Sequence, residues 1–192
     1  MSTQRKTERR YTLEDYFAIE EMSEIKHEYF DGEIFAMVGA SLRHNLIAGN
    51  LFAALKVKLK GTGCDAFIND MRVSTPEGLY TYPDIVAVCD EAELNDDQIK
   101  ALTNPTLIVE VLSESTKKYD RGQKFELYTS IETLREYVLI EQNQIFIERH
   151  ERIQSGEWSR REYTTADAIL ELPSINFRIR LSEIYYRVDF DS

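Results

Sequence analysis

The order of apolar and polar positions along this chain lays out most of its elements. Two runs are strand-like: Asp84-Ile85-Val86-Ala87-Val88 and Thr106-Leu107-Ile108-Val109-Glu110-Val111-Leu112. In the second, apolar residues follow one another without alternation, as in a strand buried on both faces, and Glu110 interrupts them. A helical pattern follows over about 117–130. Nearer the N-terminus, Thr12-Leu13-Glu14-Asp15-Tyr16 places a capping residue three positions before an acid and predicts a short helix, with Leu13, Tyr16, Phe17 and Ile19 on its apolar side. Asp31-Gly32 joins two β-prone halves of the stretch 27–38 and predicts a hairpin, because both turn residues must tolerate positive φ. Glu28 then lies on the incoming strand. Ser41 is placed to cap the longest helix, roughly 42–60. Leu42, Leu46, Phe52, Ala53, Leu55 and Leu59 recur there at helical spacing, and Gly61 and Gly63 end it. His44 falls in its first turn.

The remaining pattern predicts strands over 64–73, broken at Asn69-Asp70, and over 80–88, after a turn at Pro76-Glu77-Gly78. The acidic stretch 90–104 reads as a solvated loop or short surface helix. Thr116 or Asp120 is available to cap the helix after Glu110. Strands over 135–140 and 144–149 form a hairpin across Glu141-Gln142-Asn143, and another strand covers 158–164. Leu172-Pro173-Ser174 is a turn, 177–181 alternates apolar and basic residues, and 181–188 ends the chain as a helical turn.

Composition adds bounds. A chain of 192 residues, 43% hydrophobic and 30% charged, suits one domain with a proper core, here taken as 11–192. Residues 1–10 are polar and basic, lack the apolar centre of a signal peptide, and read as a disordered lead-in. The apolar runs are strand-sized, too short to span a membrane. Cys64 and Cys89 have no metal-binding spacing; a reduced pair is expected, in keeping with a cytoplasmic location, and one disulfide is the alternative. The net charge of −11 weighs against nucleic acid, since phosphate binding favours a basic footprint. It is a weak veto, because clustered carboxylates add negative charge that a metal offsets.

The candidate chemistry lies between residues 82 and 128. Asp84 opens one strand after Pro83, Glu110 sits inside the next, and Lys124 lies on the following helix. A buried, unpaired carboxylate is destabilising by several kcal/mol in order of magnitude, so Glu110 needs a cation. Lys124, four residues before Tyr128, borders the buried side of its helix. Magnesium takes few protein carboxylates and completes its shell with water and phosphate. Two acids on neighbouring strands meet that need. A bound metal polarises a phosphoryl oxygen and activates water, and a nearby ammonium orients that water.

Plainer readings stand beside these. Asp84 can simply start a strand, Glu110 can pair with a structural cation, and Lys124 can snorkel to the surface. Glu28 can be solvated, and His44 can be a structural hydrogen-bonder. His27 and His150 read as surface residues and Tyr128 as core. No glycine-rich phosphate loop, zinc spacing or Ser/His/Asp order is present.

In order, the chain carries Glu-x-x-Asp-Gly-Glu (28–33), Arg-His-Asn (43–45), Tyr-Pro-Asp-Ile-Val (82–86), Val-Glu-Val-Leu-Ser-Glu-Ser-Thr (109–116), Asp-x-x-x-Lys-x-x-x-Tyr (120–128) and Glu-Tyr-Val-Leu-Ile (136–140). Together, from about residue 12 to 181, these resemble the Uma-two family of endonucleases in the PD-(D/E)xK superfamily. The resemblance implies an α/β (α+β) restriction-endonuclease-like core, a mixed β-sheet flanked by helices with additional β-hairpins and the site at one sheet edge. It implies Asp84, Glu110 and Glu28 as ligands of Mg²⁺ or Mn²⁺, Lys124 as the catalytic lysine and His44 as an accessory residue. The superfamily pattern puts lysine two residues after the second acid, where this chain has Leu112. Lys124 takes that role only if its helix packs across the end of the strand.

The expectation is thus a metal-dependent endonuclease acting on DNA, as a homodimer for duplex cleavage, with no membrane partner. Two alternatives remain open: a catalytically inactive nuclease-fold binding protein, and a purely structural Glu110–Lys124 ion pair.

Overall fold

The computed structural model describes residues 10–37 and 39–190. Most of the expected lead-in, residues 1–9, and Val38 in the first hairpin stretch lie outside them. A six-stranded mixed sheet forms the centre. Its strands are β3 (Cys64–Ile68), β6 (Ile85–Cys89), β7 (Leu107–Leu112), β8 (Glu136–Glu141), β9 (Ile147–Arg152) and β10 (Trp158–Tyr163), in the spatial order β10-β9-β8-β7-β6-β3. Only β7 and β8 run parallel. Parallel neighbours need a crossover, here α3 (Lys117–Arg121) and α4 (Gln123–Thr129).

β7 is buried at every residue, as its unbroken apolar run predicts. Leu107, Val109 and Val111 face a core shared with α2 (Leu42–Leu59), the hairpin of β11 (Ile169–Leu172) and β12 (Phe177–Arg180), and α5 (Leu181–Ile184). Ile108 and Leu112 face a second core with Leu127, Tyr128, Tyr137 and Leu139. Strand alternation therefore sends Glu110 to the α4 side.

A smaller sheet, ordered β2-β1-β5-β4, lies beside it and contains β1 (His27–Phe30), β2 (Glu33–Ala36), β4 (Val73–Ser74) and β5 (Tyr80–Thr81). Asp31 and Gly32 turn the β1–β2 hairpin with φ of 46° and 81°, the pair of positive angles the Asp-Gly sequence supplies. A third core forms where Tyr16 and Phe17 of α1 (Leu13–Met22) pack on Tyr80, with Tyr29 against it.

Several details depart from expectation. Strand 80–88 divides at Tyr82-Pro83-Asp84, so β5 joins the small sheet and β6 the large one. Proline cannot donate to a ladder, which favours the break. The helix over 117–130 divides at Gly122, where an added Cβ would lie 3.2 Å from the Lys118 carbonyl oxygen. Thr116 occupies the N-cap position of α3, as expected, but makes no side-chain cap bond, and Asp120 is buried inside the helix. Ser41 does cap α2, accepting from the His44 N–H. The buried face of α2 is Ile47, Ala48, Leu51, Leu55 and Leu59, whereas Leu42 is 77% exposed. The stretch 90–104 forms no helix, and Ala101 and Leu102 at its end are buried.

The expected free thiols are a disulfide, Cys64–Cys89. The β3–β6 register sets the two cysteines directly opposite each other. His27 and His150 are not free surface residues. His27 pairs through Nδ1 with Glu20 at 3.0 Å, and the His150 ring lies 4.5 Å from that of Phe125. Burial lowers the His150 pKa.

Candidate active site

The β6–β7 register pairs Ile85 with Val109, so one step further Asp84 comes opposite Glu110. The Asp84 N–H lies 3.4 Å from Glu110 Oε2, and Asp84 Oδ2 accepts from the Val111 N–H at 2.7 Å. Asp84 Oδ1 lies 2.8 Å from His44 Nε2 at the start of α2. The Ser41 cap fixes that first turn and thereby the imidazole's approach.

Lys124 closes the site from α4. Its Nζ stands 2.9 Å from Glu110 Oε1, 2.9 Å from Glu28 Oε1 and 3.7 Å from Asp120 Oδ1. The lysine side chain is 6% exposed, so it is neither snorkelling nor on the surface. Glu28 is not solvated either: besides Lys124 it accepts from Thr81 Oγ1. Tyr128 is core, as expected, and also donates its hydroxyl to Glu110 Oε1 at 2.9 Å. The Tyr119 ring lies 5.9 Å from Lys124 Nζ, and its buried hydroxyl has no hydrogen-bond partner among the described residues.

All four expected site residues and His44 thus belong to one constellation, brought together by β1, β6, β7, α2 and α4. Asp120 and Thr81 join them unforeseen. Asp120 was legible in principle, since it lies one helical turn before Lys124. Thr81 carried no sequence signal; only the small sheet brings it to Glu28.

The electrostatics are lopsided. Glu28, Glu110 and Asp120 surround one ammonium, and Asp84 borders Glu110 with His44 on its other side. Desolvation pushes Glu110 up to about 8, and the charges of Asp84 and Asp120 add to the rise against the pull of Lys124. Desolvation also raises Asp120. Burial alone would lower Lys124, but Glu110, Tyr128, Glu28 and Asp120 hold its proton well above the ordinary range. One cation serves three acids, and burial among them favours the protonated form of Glu110.

Among the described residues, no three His, Cys, Asp or Glu side chains are arranged to grip a metal, and the ammonium stands between Glu28 and Glu110. The donor set nevertheless fits a hard divalent ion: it is all carboxylate oxygen, converges from two strands and carries surplus negative charge.

A model of the Uma2 family, described as "Putative restriction endonuclease", matches residues 13–182. Two uncharacterized proteins of Synechocystis sp. are similar over most of their length. One, slr1290, is 36% identical and the match covers 92% of each chain. The other, sll1609, is 35% identical over 83% of this chain and 91% of its own. Among solved structures, an Anabaena variabilis protein described as "a putative nuclease belonging to DUF820" superposes with a TM-score of 0.68. It is 14% identical, over 85% of this chain and 91% of that one, a likeness of fold alone.

Proposed function

We propose that this chain, which belongs to the Uma2 family, is a nuclease hydrolysing DNA phosphodiester bonds with Mg²⁺ or Mn²⁺. The observation that carries this reading is the convergence of Asp84, Glu110, Glu28 and Lys124 from four separate elements into one buried, acid-rich cluster. Asp84 and Glu110 would hold the ion, with Glu28 as the third acid. Such an ion supplies Lewis-acid polarisation of phosphate and a more acidic water.

The remaining roles belong to the chain. Lys124, held protonated by its acids, would orient the attacking water through hydrogen bonds and offset charge gathering on the phosphate. Tyr128 fixes the Glu110 carboxylate by donating to Oε1, and the Val111 N–H fixes Asp84 through Oδ2. His44 positions Asp84 from the other side. Cutting both strands of a duplex takes two sites, so we include a homodimer in the proposal. No helix among the described residues is long and apolar enough to cross a membrane. A cytoplasmic location belongs to the proposal too, but the Cys64–Cys89 bond removes the support expected from free thiols.

One observation favours a non-hydrolytic nuclease-fold binding protein instead: the Lys124 ammonium already bridges Glu28 and Glu110. Cleavage separates the two readings. Plasmid and single-stranded DNA are incubated with Mg²⁺ or Mn²⁺ and wild type, Glu110→Gln or Lys124→Ala. The nuclease reading expects metal-dependent cutting that falls roughly 100-fold or more in both variants. Binding without cutting by the wild type supports the alternative. Cutting unaffected by either substitution contradicts the assignment.

A further inference from the structure

We propose that Phe35 is a stacking platform for an unpaired nucleobase of the substrate, next to the phosphodiester held at the Lys124 cluster; this rests on the nuclease reading above. In the β1–β2 hairpin Phe35 is the direct cross-strand partner of Glu28. Directly opposed residues of an antiparallel pair share a face. The neighbouring pair, Tyr29 and Ile34, faces the other way, into the core of Tyr16 and Tyr80. Phe30, on the Glu28 side, packs against the core containing Leu127 and Tyr128. The Phe35 ring therefore belongs to the face that meets the candidate site.

Burial along that face is uneven. The Glu28 side chain is 13% exposed, whereas Phe35 is 48% exposed, on an edge strand of the small sheet. A large aromatic left in water one cross-strand step from a buried carboxylate contributes little to folding. It does offer a π-face at the rim of the site.

The chain's charge argues for a base as occupant. At −11 the protein gains little from long-range attraction to phosphate, and the site itself is acidic. Affinity for a polyanion then has to come from local, non-ionic contacts. Base–aromatic stacking is such a contact, and it tolerates any base because each has a π-face. A base in a fully paired duplex offers no free face, so the inferred substrate has a single-stranded, frayed or flipped nucleotide beside the scissile bond.

The test uses the wild-type protein and a short single-stranded DNA carrying one 2-aminopurine, with Ca²⁺ as the divalent ion. Binding is followed by anisotropy of an end label and stacking by 2-aminopurine quenching. The expected result is quenching by wild type, binding weakened roughly 5- to 100-fold with loss of quenching in Phe35→Ala, and recovery of both in Phe35→Trp. The same substitution should alter affinity for fully paired duplex less. Unchanged thermal unfolding of Phe35→Ala excludes misfolding as the cause. If wild type binds and Phe35→Ala binds and quenches equally, the stacking role is overturned while the nuclease reading stands. If wild type neither binds nor cuts any DNA, both fall.

Discussion

Glu20 and Glu110 are both carboxylates withdrawn from water, with side chains 4% and 7% exposed, yet their surroundings differ in kind. Glu20 sits among donors. It accepts from Arg72 Nη2 at 3.3 Å, from the Tyr82 hydroxyl at 2.7 Å and from the His27 N–H at 3.2 Å, and His27 Nδ1 lies 3.0 Å away. One negative charge meets one guanidinium, and a hydroxyl, a backbone N–H and an imidazole nitrogen take up its remaining lone pairs. Glu110 sits among acids, with one ammonium shared between it, Glu28 and Asp120. The first cluster is electrically complete; the second carries a surplus that only a proton or an added cation removes. The two are joined through the chain. His27 and Tyr82 of the complete cluster precede Glu28 and Asp84 of the incomplete one by one and two residues. The balanced cluster thus pins the two backbone segments that present acids to the unbalanced one.

The largest effect that would sharpen this contrast is expected at Lys124. Lys124→Met removes the one cation from the acidic cluster and should destabilise the fold by about 3–5 kcal/mol at pH 8, measured by urea unfolding. Lowering the pH should recover much of that loss, because protonation removes the same repulsion. A smaller effect is expected at the complete cluster. Glu20→Gln leaves Arg72 buried opposite a neutral amide and should cost about 1–3 kcal/mol, with no recovery in acid. Equal pH behaviour of the two variants would break the comparison.

The smallest effect concerns slope. Glu110 keeps its proton in the folded protein up to about 8, but loses it near the ordinary glutamate value of 4.5 in the unfolded chain. Its protonated form favours folding, so its contribution is full below 4.5 and declines as pH rises to about 8. Glu110→Gln should flatten the decline in unfolding midpoint across that window. An unchanged slope would show that Glu110 is not the group left uncompensated.

Much of the fold was legible because local rules governed it. The Asp31-Gly32 turn, the Ser41 cap and the buried run around Glu110 each carry their own signal. Glu110 itself stood out because a carboxylate inside an apolar strand requires a partner, and Lys124 on the following helix was a candidate; the Tyr128 hydroxyl, read only as core, is a second partner. What escaped depends on contacts distant in sequence. The Cys64–Cys89 bond follows from the register of β3 against β6, which two isolated cysteines do not encode. The Glu20 cluster joins α1, β1 and two segments beyond residue 70, so His27 read as surface. β11 was missed because Ile169-Leu170-Glu171-Leu172 does not alternate cleanly, although its burial does. Tyr82-Pro83-Asp84 read as part of one strand, yet the chain passes there from the small sheet to the large one.

The central claim is that the surplus negative charge around Lys124 is a place for a divalent cation. Isothermal titration of Mn²⁺ into wild type, Asp84→Asn and Glu20→Gln at pH 8 tests it most directly. The account predicts a saturable site in wild type, retained in Glu20→Gln and lost in Asp84→Asn. No saturable binding by the wild type, or equal binding by Asp84→Asn, would contradict it.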